Sequence, residues 1–256
     1  MQNKFTYWGF PKALSSENCD KILNLGLQNI KKSQELGVST TAVTFGNNHK
    51  GGENAGHLPL ATKTIEQLSQ EANLDKNKLN KITYKRDSEV TWLNDKWIYD
   101  LIFPFVYQAN SLAGWNYDID WGETLQFTVY EKDMFYGWHF DGESCHYSKY
   151  KRHIPGVSPE IDKQNKNKYA AYPEMVNKVR KLSLTLNLTD PKDYEGGNLM
   201  FDYGPHHVGD RYHICEDIRP RGSIIVFPSY IYHQVTPVTK GTRYSLVMWS
   251  LGYPFK

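Results

Sequence analysis

Cysteine is scarce: three in 256 residues, at Cys19, Cys145 and Cys215, an odd and scattered set. That excludes a disulfide framework of the kind that staples small secreted domains, and it suits a reducing compartment. Long apolar runs are missing too. The stretch from Trp97 to Trp115 is broken by Asp100, Pro104, Gln108 and Asn110, so no segment is expected to span a bilayer. The opening residues, Met1-Gln-Asn-Lys-Phe-Thr-Tyr-Trp8, have neither the basic nor the apolar block of a signal peptide, and a cytoplasmic location is expected. Charge of one sign is not in excess, since 30 Lys+Arg against 28 Asp+Glu leave a formal net charge of +2. Nucleic acid and anionic membrane therefore gain no global attraction to this chain, and neither is expected as a partner. Repeats and low-complexity runs are also lacking.

What is present is length for one sizeable core, so a single domain over residues 1–256 is expected, with a change of character near Tyr117 to Gly122. Residues 1–120 read as a supporting region of helix and strand, mostly helical. Leu14-Ser-Ser-Glu-Asn-Cys-Asp20 offers capping residues, and Cys19, Ile22, Leu23, Leu27 and Ile30 follow at helical spacing. A weaker helical pattern runs from Thr62 to Leu79, and Asn94 can cap a further helix with Trp97, Ile98, Leu101 and Ile102 on its buried side, kinked at Pro104. Asn47 to Gly56 is turn-rich and reads as a loop. Residues 121–256 are strand-rich: Leu182, Leu184, Leu186 and Leu188 alternate with Ser183, Thr185, Asn187 and Thr189, so that one face packs and the other can line a polar pocket. Short strands joined by turns such as Pro191 to Gly197 predict a sandwich or jelly roll, with helices bracing its outside. Glu143 to Lys181 is a long, polar, insertion-like segment carrying Lys149, Lys151, Arg152, Lys163, Lys166, Lys168, Lys178, Arg180 and Lys181. It reads as a solvated loop or as a lid over a partner.

The chemistry concentrates in two places. In Tyr136-Gly-Trp-His139-Phe-Asp141, residues two apart on a strand project to the same side, so His139 and Asp141 can reach one ion while Trp138 and Phe140 point away. A bare His-x-Asp arises by accident in many proteins, and more is needed. Gly222-Ser-Ile-Ile-Val-Phe227 looks like a buried strand with His233 just past its end. The next run alternates so that Arg243, Ser245, Val247 and Trp249 share a face. An inward Arg in an apolar strand needs an anion, and no Asp or Glu in that strand supplies one. Two imidazoles and a carboxylate can occupy one face of a metal ion and leave the opposite positions open for a bound acid and dioxygen. The pattern reads as an iron site beside an anion clamp.

Other polar and aromatic residues have plainer readings. His206 and His207 adjoin Gly204-Pro205 and look like turn residues, while His146, His153 and His213 have no carboxylate at ligand spacing and read as surface or hydrogen-bonding groups. The three thiols are read as structural. Tyr136 and Trp249 suit a core aromatic role and a pocket wall equally well.

From about Trp121 to Tyr253 the chain resembles the iron(II)/2-oxoglutarate oxygenases, in particular the prolyl-4-hydroxylase-like branch with the bacterial PKHD-type hydroxylases. The resemblance rests on Leu125-Gln-Phe-Thr-Val-Tyr130, the His139-x-Asp141 pair, Leu182 to Leu188 with Asp193-Tyr-Glu-Gly-Gly197, Phe227-Pro-Ser229, His233-Gln-Val-Thr-Pro-Val238 and Gly241-Thr-Arg243. It implies a double-stranded β-helix with the metal at one mouth, His139, Asp141 and His233 as Fe(II) ligands, and Arg243 on the distal carboxylate of 2-oxoglutarate. Tyr130 and Ser245 are implied helpers there, with Trp249 on the same face. The implied activity is hydroxylation by dioxygen, coupled to decarboxylation of 2-oxoglutarate to succinate and CO2, with ascorbate in support. A peptide or protein side chain, proline first, is the implied substrate, and a free amino acid or small metabolite stays open. The segment 143–181 exceeds the usual connection of the branch, and Asn198 stands where relatives commonly have Glu.

Readings of other classes remain at this stage. A zinc hydrolase can use the same three ligands with an activated water, although it has no need of Arg243. A non-catalytic jelly-roll binding module is a further reading, since fold does not fix function, although it would be expected to lose ligands. A nucleic-acid demethylase of the superfamily would carry a second arginine shortly after Arg243, and Ser245 to Trp249 contains none.

Overall fold

In the computed structural model the described residues are 5–45, 84–142, 178–204 and 209–253, with the side chains of 43–45 and 84–85 excepted. The expected helix at Thr62 to Leu79, the loop at Asn47 to Gly56, most of the polar segment after Glu143, and His146, His153, His206, His207 and Cys145 lie outside them.

Two α-helices occur among the described residues. Helix α1 spans Ser16–Glu35, and Ser15 caps it by accepting the backbone N–H of Asn18 at 3.3 Å. Its buried stripe is Cys19, Ile22, Gly26 and Ile30, while Leu27 turns outward. Gly26 belongs to the stripe because the helix presses on the sheet there: a Cβ at this position would lie 2.5 Å from the ring of Phe127. Helix α2 spans Lys96–Leu112, follows Asp95 rather than Asn94, and continues through Pro104. Its buried residues are Ile98, Ile102, Val106, Ala109 and Asn110, and Trp97, expected inward, is exposed.

The strands are β1 (Trp8–Phe10), β2 (Thr41–Phe45), β3 (Tyr84–Leu93), β4 (Trp121–Gly122), β5 (Leu125–Tyr130), β6 (Phe135–His139), β7 (Val179–Asn187), β8 (Tyr194–Gly196), β9 (Leu199–Asp202), β10 (Tyr212–Ile214), β11 (Ile224–Pro228), β12 (His233–Val235), β13 (Val238–Gly241) and β14 (Arg243–Gly252). Twelve join one curled sheet in the order β1-β11-β7-β14-β5-β3-β6-β12-β9-β10, with β2 on β3 and β4 on β14, and β13 pairs with β8 separately. All pairs of named strands are antiparallel. Strand β3 is the fold line: Glu89 to Leu93 pair with β5, and Arg86 and Asp87 pair with β6. The expected jelly-roll core braced by helices is what forms. Three strands, however, come from the region read as mostly helical, and β1 and β3 are built into the roll itself.

Period-two alternation divides the roll. Leu125, Phe127 and Val129, then Leu182, Leu184, Leu186 and Leu188, then Ile224, Val226, Leu246 and Met248 face the helices and form the main core with Ile22, Ile98, Ile102 and Val106. Each such side chain contributes about 1.5–3 kcal/mol by leaving water. The inner face carries polar residues on β5 and β7 around the row from β14: Gln126 and Thr185 flank Val247, and Ser183 lies opposite Trp249. A smaller apolar cluster of Leu199, Phe201, Cys215, Ile218, Ile225 and Phe227 forms a second core, with Phe227 packed edge-on against His233 at 4.7 Å. Among the described residues no helix is long and apolar enough to cross a membrane.

Candidate metal centre

Strand pairing brings the donors together. His139 ends β6, His233 begins β12, and the two are direct register partners. Asp141 follows two residues after His139, where the chain has left the strand. His139 Nε2 is 3.7 Å from Asp141 Oδ1 and His233 Nε2 is 3.6 Å from Asp141 Oδ2. One ligand atom from each of the three lies within 4.8 Å of the others, and no second such trio of His, Cys, Asp or Glu occurs among the described residues. All three are buried. Trp138 and Phe140 turn to the other face, where Trp138 stacks on Tyr232.

Both imidazoles are oriented by main chain. His139 Nδ1 lies 2.7 Å from the carbonyl of Gly137, and His233 Nδ1 lies 2.9 Å from that of Ile231. A carbonyl only accepts, so each Nδ1 carries the proton and each Nε2 presents its lone pair to the gap. Burial, then the neighbouring His233, hold His139 well below its ordinary pKa of 6.5, keeping it neutral and able to ligate. Burial pushes Asp141 upward, but His233, His139, Arg180 and the hydroxyl of Ser183 together bring it net below its ordinary 3.8. The set is therefore a neutral His139 imidazole, a second imidazole turned the same way by main chain, and an ionised carboxylate, a combination that suits a non-haem ferrous ion with open positions.

Arg243 opens β14 opposite Tyr130, the last residue of β5. It is only 1% exposed, its guanidinium lies over the Tyr130 ring at 5.6 Å, and its Nε has no hydrogen-bond partner among the described residues. No acid pairs with it among the described residues. Arg243, Ser245, Val247 and Trp249 line one cavity with His139, Asp141, His233, Tyr130 and Tyr136, as the alternation in β14 predicts. The Nε1 of Trp249 is a second buried donor without a partner among the described residues. Gly197 explains part of its Gly-Gly motif: at φ +58 it backs onto Arg243, and a Cβ would meet that side chain and Val238 at 3.0 Å.

Several residues of the site escaped the sequence reading. Ser183 donates to Asp141 Oδ2 at 2.6 Å. Arg180, counted with the polar insertion, lies in β7, forks onto Glu123 with two bonds of 2.6 Å, and covers the ring of Trp249 at 4.0 Å. Lys178 is buried as well and pairs with Asp120 at 2.9 Å. Tyr136, for which the sequence leaves a pocket wall open, lines the cavity and stacks on His139 with ring centroids 3.5 Å apart, and Arg86 of β3 lies over its ring at 4.6 Å. Burial pushes the Tyr136 hydroxyl up to about 12. Of the remaining histidines, His213 meets the Tyr7 hydroxyl at 3.2 Å, consistent with a hydrogen-bonding role.

Residues 125–251 match the family model described as the 2OG-Fe(II) oxygenase superfamily. The chain belongs to the 2OG-Fe(II) oxygenase superfamily. The matched segment of this superfamily member runs from β5 into β14 and contains every residue of the donor trio and the anion side. Curated relatives include a PKHD-type hydroxylase of Paracoccus denitrificans, 30% identical over 126 residues that cover 48% of this chain and 41% of the relative. Another PKHD-type hydroxylase, from Methylobacterium nodulans, is 41% identical over 71 residues, 27% of each protein. The chain thus spans less than half the length of these curated relatives. Among solved structures, the viral collagen prolyl hydroxylase of Paramecium bursaria Chlorella virus-1 aligns over 97% of both chains with TM-score 0.52 and 16% identity. A Trichoplax adhaerens prolyl hydroxylase, solved with a hypoxia inducible factor peptide fragment, aligns over 97% of this chain and 84% of its own with TM-score 0.54 and 13% identity. These two likenesses are likenesses of fold.

Proposed function

We propose that this superfamily member is an Fe(II)- and 2-oxoglutarate-dependent hydroxylase acting on a peptidyl side chain, with proline the leading candidate. In this reading His139 and His233 hold ferrous iron through Nε2 and Asp141 holds it through a carboxylate oxygen. Arg243 grips the distal carboxylate of 2-oxoglutarate with a two-bond fork, flanked by Tyr130 and Ser245, while Trp249 forms part of the wall. The observation that carries the reading is a buried guanidinium with no acid partner among the described residues, in the same cavity as three ionisable donors within 4.8 Å of one another. A metal hydrolase needs the trio but not the guanidinium.

When bound, ferrous iron and 2-oxoglutarate supply the oxidation: one atom of dioxygen enters the substrate as a hydroxyl and the other enters succinate as CO2 leaves. The chain's own residues place and protect the reactants. Arg243 fixes the co-substrate from its far end, so the opposite carboxylate and keto group are directed at the donors. Tyr130, buried and kept protonated by burial, is a hydroxyl donor beside that guanidinium. Tyr136, stacked on His139, and Trp249 form part of the cavity wall that keeps water away from the donors. Asp141 occupies the place a halide would need, which favours hydroxylation over halogenation.

The peptide substrate is proposed from the PKHD-type relatives and from the fold shared with prolyl hydroxylases. A cytoplasmic setting, with ascorbate supporting turnover, agrees with the buried free thiols of Cys19 and Cys215. The test is an assay with ferrous iron, ascorbate and 2-oxoglutarate against peptide pools, scored by succinate release and by the mass gain of one oxygen atom. Asp141→Ala should abolish succinate formation while leaving the thermal midpoint close to wild type. Unchanged turnover in that variant overturns the assignment.

A further inference from the structure

We propose that Ser183, backed by Ser229, is a positioning residue that fixes Asp141 as a one-oxygen ligand, an inference that rests on reading the His139–Asp141–His233 cluster as a metal centre. Both serines are completely buried on the inner side of the roll. Ser183 Oγ is 2.6 Å from Asp141 Oδ2, and Ser229 Oγ is 3.0 Å from Ser183 Oγ. An ionised carboxylate only accepts, and a hydroxyl has one proton. Ser183 therefore donates to Asp141, and the bond behind it must run from Ser229 to Ser183. The relay has a single direction, and its last link is a short, charge-assisted bond.

The base of the relay is anchored by main chain. Ser229 N donates to the carbonyl of Lys181 in β7 at 3.0 Å, and the Ser229 carbonyl accepts from Gly142 N, the residue after Asp141, at 2.9 Å. Arg180 adds a contact from its Nη1 to the Asp141 carbonyl at 3.3 Å. The turn after β6, the start of β7 and the end of β11 thus meet around one carboxylate. Its Oδ2 is engaged by Ser183, and Oδ1 is the oxygen left free of hydrogen bonds from the described residues. A two-oxygen grip would use a coordination position that an oxygenase needs for its co-substrate or for dioxygen. Outer-shell partners of this kind set ligand orientation and affinity.

Cobalt(II) titrated into the metal-free protein, followed by calorimetry and by its visible absorption spectrum, tests the relay without turnover. Ser183→Ala should weaken cobalt binding by roughly 10–100-fold and alter the absorption bands, because a freed carboxylate changes the coordination. Ser183→Thr should restore both, and Ser229→Ala should fall between. A purely packing role would move the folding midpoint but not the spectrum. Wild-type affinity and an unchanged spectrum in Ser183→Ala overturn the proposal; if that variant does not fold, the same result in Ser229→Ala does so. Failure of the metal reading looks different: wild-type protein would bind no cobalt, or Asp141→Ala would bind it equally well.

Discussion

Replacing Arg243 with leucine separates a charge that serves a ligand from one that serves the fold. The side chain is 1% exposed, its Nε is unbonded, and no described acid faces it. An unpaired buried guanidinium carries a desolvation penalty, so Arg243→Leu should leave the ligand-free protein as stable as wild type or more so. A bound dicarboxylate reverses the balance, because a charge-assisted fork is worth about 1.5–3 kcal/mol. At about 1.4 kcal/mol per decade, its loss weakens 2-oxoglutarate binding by roughly 10–150-fold. A ligand at about one hundred times its Kd stabilises the native state by about 2.7 kcal/mol. For a chain of this size that corresponds to a midpoint rise of about 5–10 °C. In a thermal-shift assay with Mn(II) as a redox-inert stand-in, wild type should show that rise. Arg243→Leu at the same 2-oxoglutarate concentration should show about 2 °C, as expected for a Kd some thirtyfold weaker. A wild-type shift in the variant refutes the anion clamp. So would a ligand-free variant destabilised by about 3 kcal/mol or more, which would make Arg243 part of the fold's own packing.

Gly26→Ala places a methyl group 2.5 Å from the Phe127 ring, so overpacking of about 1–3 kcal/mol should outweigh the gain in helix propensity and lower the denaturant midpoint. An unchanged midpoint would mean that α1 slides freely on β5. The Asp202 carboxyl is held below its ordinary 3.8 mainly by hydrogen bonds from Arg211, then by Gly204 N–H against a desolvation that acts upward. A depressed carboxyl stabilises the fold at neutral pH, and this contribution is lost as pH falls below 3.8 through the folded-state value. Arg211→Ala should therefore flatten the acid side of a stability–pH curve and leave its shape above pH 5 nearly unchanged, and an identical acid limb counts against the pair.

The parts of the molecule legible in the sequence are those where alternation separates apolar from polar residues. β7 showed its two faces because leucines point at the helices and small polar residues point inward, and β14 showed Arg243, Ser245 and Trp249 as one row. β3 is hidden in the sequence because its inner face is itself polar: Arg86 and Ser88 are buried there, with Arg86 donating to both Ser88 and Gln126, while Trp92 and Glu89 stay partly in water. Nothing local distinguishes such a strand from a loop. Of the expected buried side of α2, Ile98 and Ile102 are buried, but the helix is turned so that Val106 and Ala109 complete the stripe and Trp97 faces out. Arg180 read as one more cation of a basic stretch because its counter-charge, Glu123, lies far away in the chain. Ser183 could be assigned to the polar face, but its acceptor is fixed only when β7, the turn after β6 and the end of β11 converge.

The two imidazoles owe their tautomer to carbonyls of Gly137 and Ile231, each two positions upstream on its own segment. Peptide oxygens are common to all residue types, so this part of the donor set is immune to side-chain replacement at 137 or 231 as long as the local path of the chain survives. Sequence drift around the histidines is therefore tolerable to a degree that drift at Asp141 is not. The carboxylate depends on a hydroxyl that a single codon change can remove.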